Sequence, residues 1–188
     1  MAGPRLSSMT LTLEAARRVW DSLPLPIDDG LAEVELRRVE KTFGFAFNPD
    51  HRVLLAAGMP LGGRWPDWRH VNSHALRERL AEPIEGVLFD VAENGFWYPQ
   101  WGKRPAKTDD AVALARRALD GVPKLVPVYG HRYAPALPES GLPVLSVVQT
   151  DVAVYGQDLP DYLSREFGEP GAEDIGSVKA VPFWGDLT

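Results

Sequence analysis

Apolar residues recur at helical spacing through the first part of the chain and gather into short β-branched runs in the last. Leu13, Ala16, Val19 and Trp20 share one face of a helix over Leu11 to Trp20, which Leu23-Pro24-Leu25-Pro26 stops. Leu36, Val39 and Phe43 do the same over Glu33 to Phe43, with charges opposite. Asn48-Pro49-Asp50 opens a third helix, with a cap, a proline in the first turn and a carboxylate near the positive end of the dipole. That helix carries Val53, Leu54 and Ala57 and ends at Gly58. Met59 to Asn72 reads as loop, and Ser73 caps a short helix through Leu80. Gly86 to Val91 reads as a strand, and Thr108-Asp109-Asp110 opens a helix to Leu119 that Gly121 closes. Three strands follow: Leu125 to Tyr129, Val144 to Gln149 and Val152 to Gly156. Pro127 cannot donate to a ladder, which places its strand at an edge or at a bulge. Asp158-Leu159-Pro160 starts a last helix to Phe167. Partly segregated helices and strands, with late strands close enough to pair as antiparallel neighbours, predict an α+β fold with a mainly antiparallel sheet.

The loop from Asn94 to Gly102 stands out because Phe96, Trp97, Tyr98 and Trp101 lie within six residues of one another. Loops are usually polar, so one this aromatic either folds back as a roof over the domain or is presented to a partner. Trp65 and Trp68 sit in a second loop, and exposed Trp and Tyr beside charge are what binding hot spots are made of. Phe183-Trp184 suggests that the terminus docks back onto the domain.

Composition narrows the options. At 188 residues one domain suffices; residues 1–10 read as a disordered leader and 11–188 as a single domain with an acidic C-terminal extension. There is no Cys, which excludes disulfides, thiolate nucleophiles and Cys-type metal centres and fits a cytoplasmic protein. No apolar run is long enough for a membrane span. Residues 1–150 balance in charge, and the last 38 residues carry the whole net charge of −6. An acidic surface disfavours nucleic acid and anionic membrane and steers a basic partner.

Catalytic patterns are weak. His70 and His74 are four apart, but Ser73 as cap puts them on different local structures, so they read as separate surface histidines, and His51 as solvent-exposed. His131, directly after a strand, is the best single candidate for a general base or ligand contact, with Ser146 and Asp151 across the sheet, or a structural ring at a turn. Asp90, the one acidic residue inside an apolar run, needs a partner such as Arg132 or a loop amide. Phosphate-binding frames are missing, and no cofactor is expected.

Gly30-Leu31, the helix ending in Phe43-Gly44, and Asn48-Pro49-Asp50-His51-Arg52 leading to Leu54-Leu55 resemble the opening of the SUKH superfamily. Asp90, the Asn94 to Gly102 loop, Leu125-Val126-Pro127-Val128, and Gln149-Thr150-Asp151 to Tyr155-Gly156 followed by a helix resemble its bacterial, especially actinobacterial, members. The similarity spans residues 30–167; the helix at Leu11 to Trp20 and the Met59 to Ile84 stretch depart from it. The resemblance implies a non-catalytic immunity protein that occludes a cognate bacterial toxin. The expected docking surface joins Trp65, Trp68, Asn94, Trp97, Tyr98, Trp101 and His131 to an acidic face of Asp151, Asp158, Asp161 and Glu166, suited to a basic toxin such as a nuclease. The alternatives are a regulatory scaffold docking endogenous proteins, and a small-molecule binder or enzyme with a pocket near His131.

Overall fold

The computed structural model describes residues 10–168 and 174–188; residues 1–9 of the leader expected over 1–10, and Glu169 and Glu173 of the acidic extension, lie outside them. Among the described residues, six α-helices and two antiparallel sheets build a mixed α+β fold. Helix α1 (Leu13–Asp21) begins where Thr12 Oγ1 accepts the Ala15 amide, at 3.2 Å. A two-stranded ribbon joins β1 (Ile27–Asp28) to β2 (Met59–Pro60), the latter inside the stretch read as loop. Between them, α2 (Glu33–Phe43) ends on Gly44 with φ +65°. Helix α3 (Pro49–Ala57) is capped by Asn48, whose Oδ1 accepts the His51 amide at 2.8 Å and whose Nδ2 donates to the Pro135 carbonyl at 3.0 Å. One side chain thus starts the helix and ties it to the sheet.

Helix α4 (His74–Glu93) corrects the sequence reading: Gly86 to Val91 is not a strand but the second half of a 20-residue helix. Leu76, Pro83, Val87, Leu88 and Val91 are its buried apolar residues and recur at helical spacing, so tertiary burial decides between two periods that a short apolar run leaves ambiguous. Pro83 sits in its interior without an N–H, freeing the Arg79 carbonyl four residues back. The Tyr133 hydroxyl lies 3.4 Å from that carbonyl, on the sheet the helix covers. Gly86 permits the closest approach, since a Cβ there would lie 2.9 Å from the Gln149 Cα.

Helix α5 (Thr108–Leu119) precedes β3 (Leu125–Tyr129), β4 (Arg132–Pro135), β5 (Val144–Val148) and β6 (Asp151–Gly156), which pair in that order. The sheet has four strands where sequence predicts three, because β4 is short and ends in proline. Strand β3, with Pro127, lies at an edge and bulges between Pro127 and Tyr129, as expected. The two faces of the sheet bury different residues. Leu125, Tyr133, Leu145 and Val147 pack with α4, α5 and the C-terminal Val181, Phe183 and Trp184. Val128, Ala134 and Val144 pack with α1 and α6 (Leu159–Phe167), while Val126 meets α2 and α3. No described helix is long and apolar enough to cross a membrane.

Asp90 anchors the β5–β6 hairpin to α4. It is buried, and its Oδ2 accepts the Thr150 amide at 2.9 Å and the Thr150 hydroxyl at 2.6 Å, while Oδ1 accepts Asn94 Nδ2. A loop amide is therefore its partner, as expected, and Arg132 is not. Burial alone would raise its pKa, but the bonds from Thr150 and Asn94 outweigh that and hold the carboxylate below its ordinary range. Asp90→Ala leaves these donors unmatched, and chemical denaturation is expected to show a loss of about 2–3 kcal/mol.

Candidate functional site

The Asn94 to Gly102 loop folds back as a roof rather than standing out to solvent. Tyr98 is buried and donates its hydroxyl to Asp186, and Trp97 Nε1 donates to the Gly102 carbonyl at 2.7 Å. Trp101 stacks on Phe183 with ring centroids 5.8 Å apart and planes 13° apart. Pro99–Trp101 form a 3-10 turn that holds these rings against the C-terminal segment, which docks back as Phe183-Trp184 suggests. Asn94, at the C-terminal end of α4, spends its amide on Asp90. Trp68 is also removed from any surface: it is 1 % exposed and packs edge-on to Phe45 and Phe47.

The acidic residues divide in the same way. Asp158 is the cap of α6, accepting the Asp161 amide at 2.9 Å, and burial pushes its pKa up. Asp161 accepts the Gln157 amide at 2.7 Å and pairs with Arg165 Nε at 2.8 Å. These two carboxylates are committed to the start of a helix and do not form a free docking face. Asp151 is exposed at the hairpin, opposite Val148. His51, read as exposed, is buried against Phe47 and Trp68. His70 and His74 each meet their own carboxylate, Asp67 at 2.6 Å and Glu78 at 3.2 Å.

What the tertiary structure assembles is a patch at the β3–β4 turn. Two bulges flank Arg132. In β3, Val128 is the extra residue between the Pro127–Tyr133 and Tyr129–Arg132 pairs; in β6, Tyr155 is extra between the Leu145–Val154 and Val144–Gly156 pairs. A bulge bends its strand and re-aims a side chain, and here it turns Tyr155 outward on an edge, 40 % exposed. The Arg132 guanidinium lies over the Tyr155 ring, 3.8 Å from its centroid, and its Nη1 donates to Ser146 Oγ at 3.0 Å. Its Nε is 4.0 Å from Glu166 Oε2. Ser146 thus faces Arg132, its partner across the β4–β5 ladder.

On the other side of the turn, Gly130 adopts φ +52°, its amide donates to the Arg64 carbonyl at 3.0 Å, and its carbonyl accepts from Arg79 Nη2 at 2.9 Å. The Arg64 guanidinium packs over Tyr129, 5.2 Å from the ring centroid. Tyr129 in turn contacts Trp65 and Phe167, with centroids 4.8 and 4.9 Å away. His131 sits half-buried at the tip, and burial, Arg132 and Arg64 together hold it below the ordinary histidine range. Underneath, the Tyr162 hydroxyl is buried with no hydrogen-bond partner among the described residues.

Of the residues expected from sequence, Trp65, His131 and Glu166 come together here; Trp97, Tyr98 and Trp101 form a separate roof, and Trp68, Asn94, Asp158 and Asp161 are structural. Arg64, Tyr129, Arg132 and Tyr155 were not anticipated as site residues. Their signals were local and faint: a glycine between Tyr129 and His131, and Tyr155 beside Gly156 at a strand end. No group of three or more His, Asp or Glu among the described residues is placed to hold a metal. Comparison of the chain with protein-family models, curated proteins and solved structures finds no match.

Proposed function

We propose that this chain acts by binding another protein through the surface formed by Arg64, Trp65, Tyr129, His131, Arg132 and Tyr155, and that the partner is a bacterial toxin domain whose action it occludes. The observation that carries the binding reading is the arginine–tyrosine stack of Arg132 on Tyr155, raised on an edge strand by a bulge and bordered by Arg64, Tyr129 and Trp65. Arg, Tyr and Trp are the residues that dominate binding energy at interfaces, and they do so when clustered. The toxin as target follows from the resemblance of residues 30–167 to SUKH immunity proteins.

The test is growth rescue. Toxin domains from the same genome are expressed singly with this chain, and each rescued pair is carried into affinity measurement. Tyr155→Ala removes an exposed ring, so it is expected to weaken binding by tenfold or more, roughly 1.4 kcal/mol, while the thermal midpoint stays within a few degrees of wild type. Rescue by wild type and its loss in the variant supports the proposal. Partners lost in the variant without rescue of any toxin would favour a regulatory scaffold instead.

A further inference from the structure

The composition of this patch also selects the charge of what docks there. On the protein-binding reading above, we infer that the docking segment of the partner carries a carboxylate, seated among Arg64, His131 and Arg132, with its apolar neighbours against Trp65, Tyr129 and Tyr155.

Three observations lead to this. First, the cations at the turn have donors to spare. Arg64 is exposed and packs on Tyr129, and no carboxylate among the described residues lies within ion-pair distance of it. Arg132 has its nearest carboxylate, Glu166, only at 4.0 Å, and its Nε makes no hydrogen bond among the described residues. By contrast Arg52, Arg69, Arg116 and Arg165 each pair with a carboxylate at 2.7 to 3.5 Å.

Second, two of the unmatched buried groups among the described residues, Arg132 Nε and the Tyr162 hydroxyl, lie at this patch, and both can donate. A donor needs an acceptor, and an ionised carboxylate is the acceptor-only side chain. It also makes the stronger, charge-assisted bond to a guanidinium.

Third, the patch runs against the charge of the chain. The protein carries a net −6, yet three arginines meet at one turn; of the carboxylates beside them, Glu82 Oε2 accepts the Tyr133 hydroxyl at 3.0 Å and Glu166 reaches Arg132 only at 4.0 Å. A basic segment brought to this turn would be repelled by Arg64 and Arg132, while a negative one would be steered toward it. The inference therefore reverses the charge expected from sequence, where the acidic C-terminal region was to receive a basic partner.

The experiment uses the intact chain and three probes: a peptide Trp-Glu-Glu-Trp with both ends blocked, its Gln-for-Glu counterpart, and inorganic phosphate. Each is titrated to millimolar concentration while NMR follows the His131 and Tyr155 rings. The glutamate peptide is expected to move both resonances, to raise the His131 pKa, and to bind at least tenfold more tightly than the glutamine peptide. Arg64→Glu, at an exposed position where folding is easily verified by the thermal midpoint, is expected to abolish that preference. Equal binding of the two peptides, no shift with the glutamate peptide, a preference that survives Arg64→Glu, or phosphate binding as tightly as the glutamate peptide would each overturn the inference. Failure here with Tyr155-dependent partner binding retained removes only the charge assignment; loss of any Tyr155-dependent partner removes the protein-binding reading itself.

Discussion

Acidification from pH 6.5 to pH 3 is expected to remove about 4–5 kcal/mol of stability through His51 alone, and His51→Leu is expected to remove most of that dependence. His51 lies in the first turn of α3, buried against Phe47 and Trp68, and lines a cavity of about 20 Å³ with Trp20, Leu54 and Trp65. Such a space holds about one water, so an imidazolium there would lose nearly all its hydration. Its Nδ1 has no hydrogen-bond partner among the described residues, and no carboxylate is paired with it there. Burial accordingly lowers its pKa from 6.5 to about 3. The sign follows from proton counting. Between pH 6.5 and 3 the unfolded chain holds a proton on this imidazole that the folded chain does not, so protons favour unfolding. The contribution is complete above 6.5 and is lost progressively as pH falls to about 3, at 1.36 kcal/mol per pH unit. Leucine is apolar and of similar size, and the cap is unaffected because Asn48 accepts the backbone amide of residue 51, not its ring. Denaturant titrations of both proteins across this range measure the difference directly. Parallel pH profiles would show that the ring is reached by water or finds a partner.

Trp184→Ala is expected to cost about 4–5 kcal/mol. The indole is completely buried between the sheet and α5, and Nε1 donates to the Pro123 carbonyl at 2.8 Å. Truncating a buried tryptophan costs about 3–5 kcal/mol, and the stranded carbonyl adds to that. The effect should spread, because the backbone before it is under strain. Phe183 has φ +66° and ψ −59°, a γ-turn of the rarer hand closed by the Trp184 amide on the Pro182 carbonyl at 2.8 Å. An L-residue keeps that conformation only where its surroundings compensate, and here the compensation is burial of Phe183 and Trp184 together. With Trp184 gone, the Phe183 ring is expected to leave its stack on Trp101, and near-ultraviolet circular dichroism should lose intensity along with the drop in denaturation midpoint. Val34→Ala, at an exposed position on α2, should do neither and serves as the control.

The contrast between these positions and Tyr155 separates core from surface in a way the residue types alone do not. Trp68, Tyr98 and Trp184 are aromatic, polar-tipped and adjacent to loops, as Trp65 and Tyr155 are. Only their neighbours distinguish them. Trp68 meets Phe45 and Phe47 from the α2–α3 connection, whereas Tyr155 meets a guanidinium at the sheet edge.

Local order could be read from the chain because its causes are local. Helix α2 is bounded by its own apolar period and by Gly44, α3 by Asn48 and Gly58, α6 by Asp158 and Pro160, and Pro127 announces an edge or a bulge from its missing N–H. The mixed α+β class followed from the order of these segments. Gly86 to Val91 failed because six apolar-rich residues satisfy both periods, and the choice depends on what they cover. The patch proposed for docking could not be read for a similar reason. Arg64, Tyr129, Arg132 and Tyr155 come from a loop and three strands, and it takes a left-handed glycine and two one-residue bulges to set their rings and guanidiniums against one another. A bulge is a mismatch of register between two strands, so it exists only once the strands have paired. Sequence therefore determined α2, α3 and α6, the Asn48 and Asp158 caps, and the runs of β3, β5 and β6, each a balance struck within a few residues; tertiary pairing alone decided the second half of α4, which aromatics became core, which carboxylates were consumed by caps, and where arginine met tyrosine at the surface.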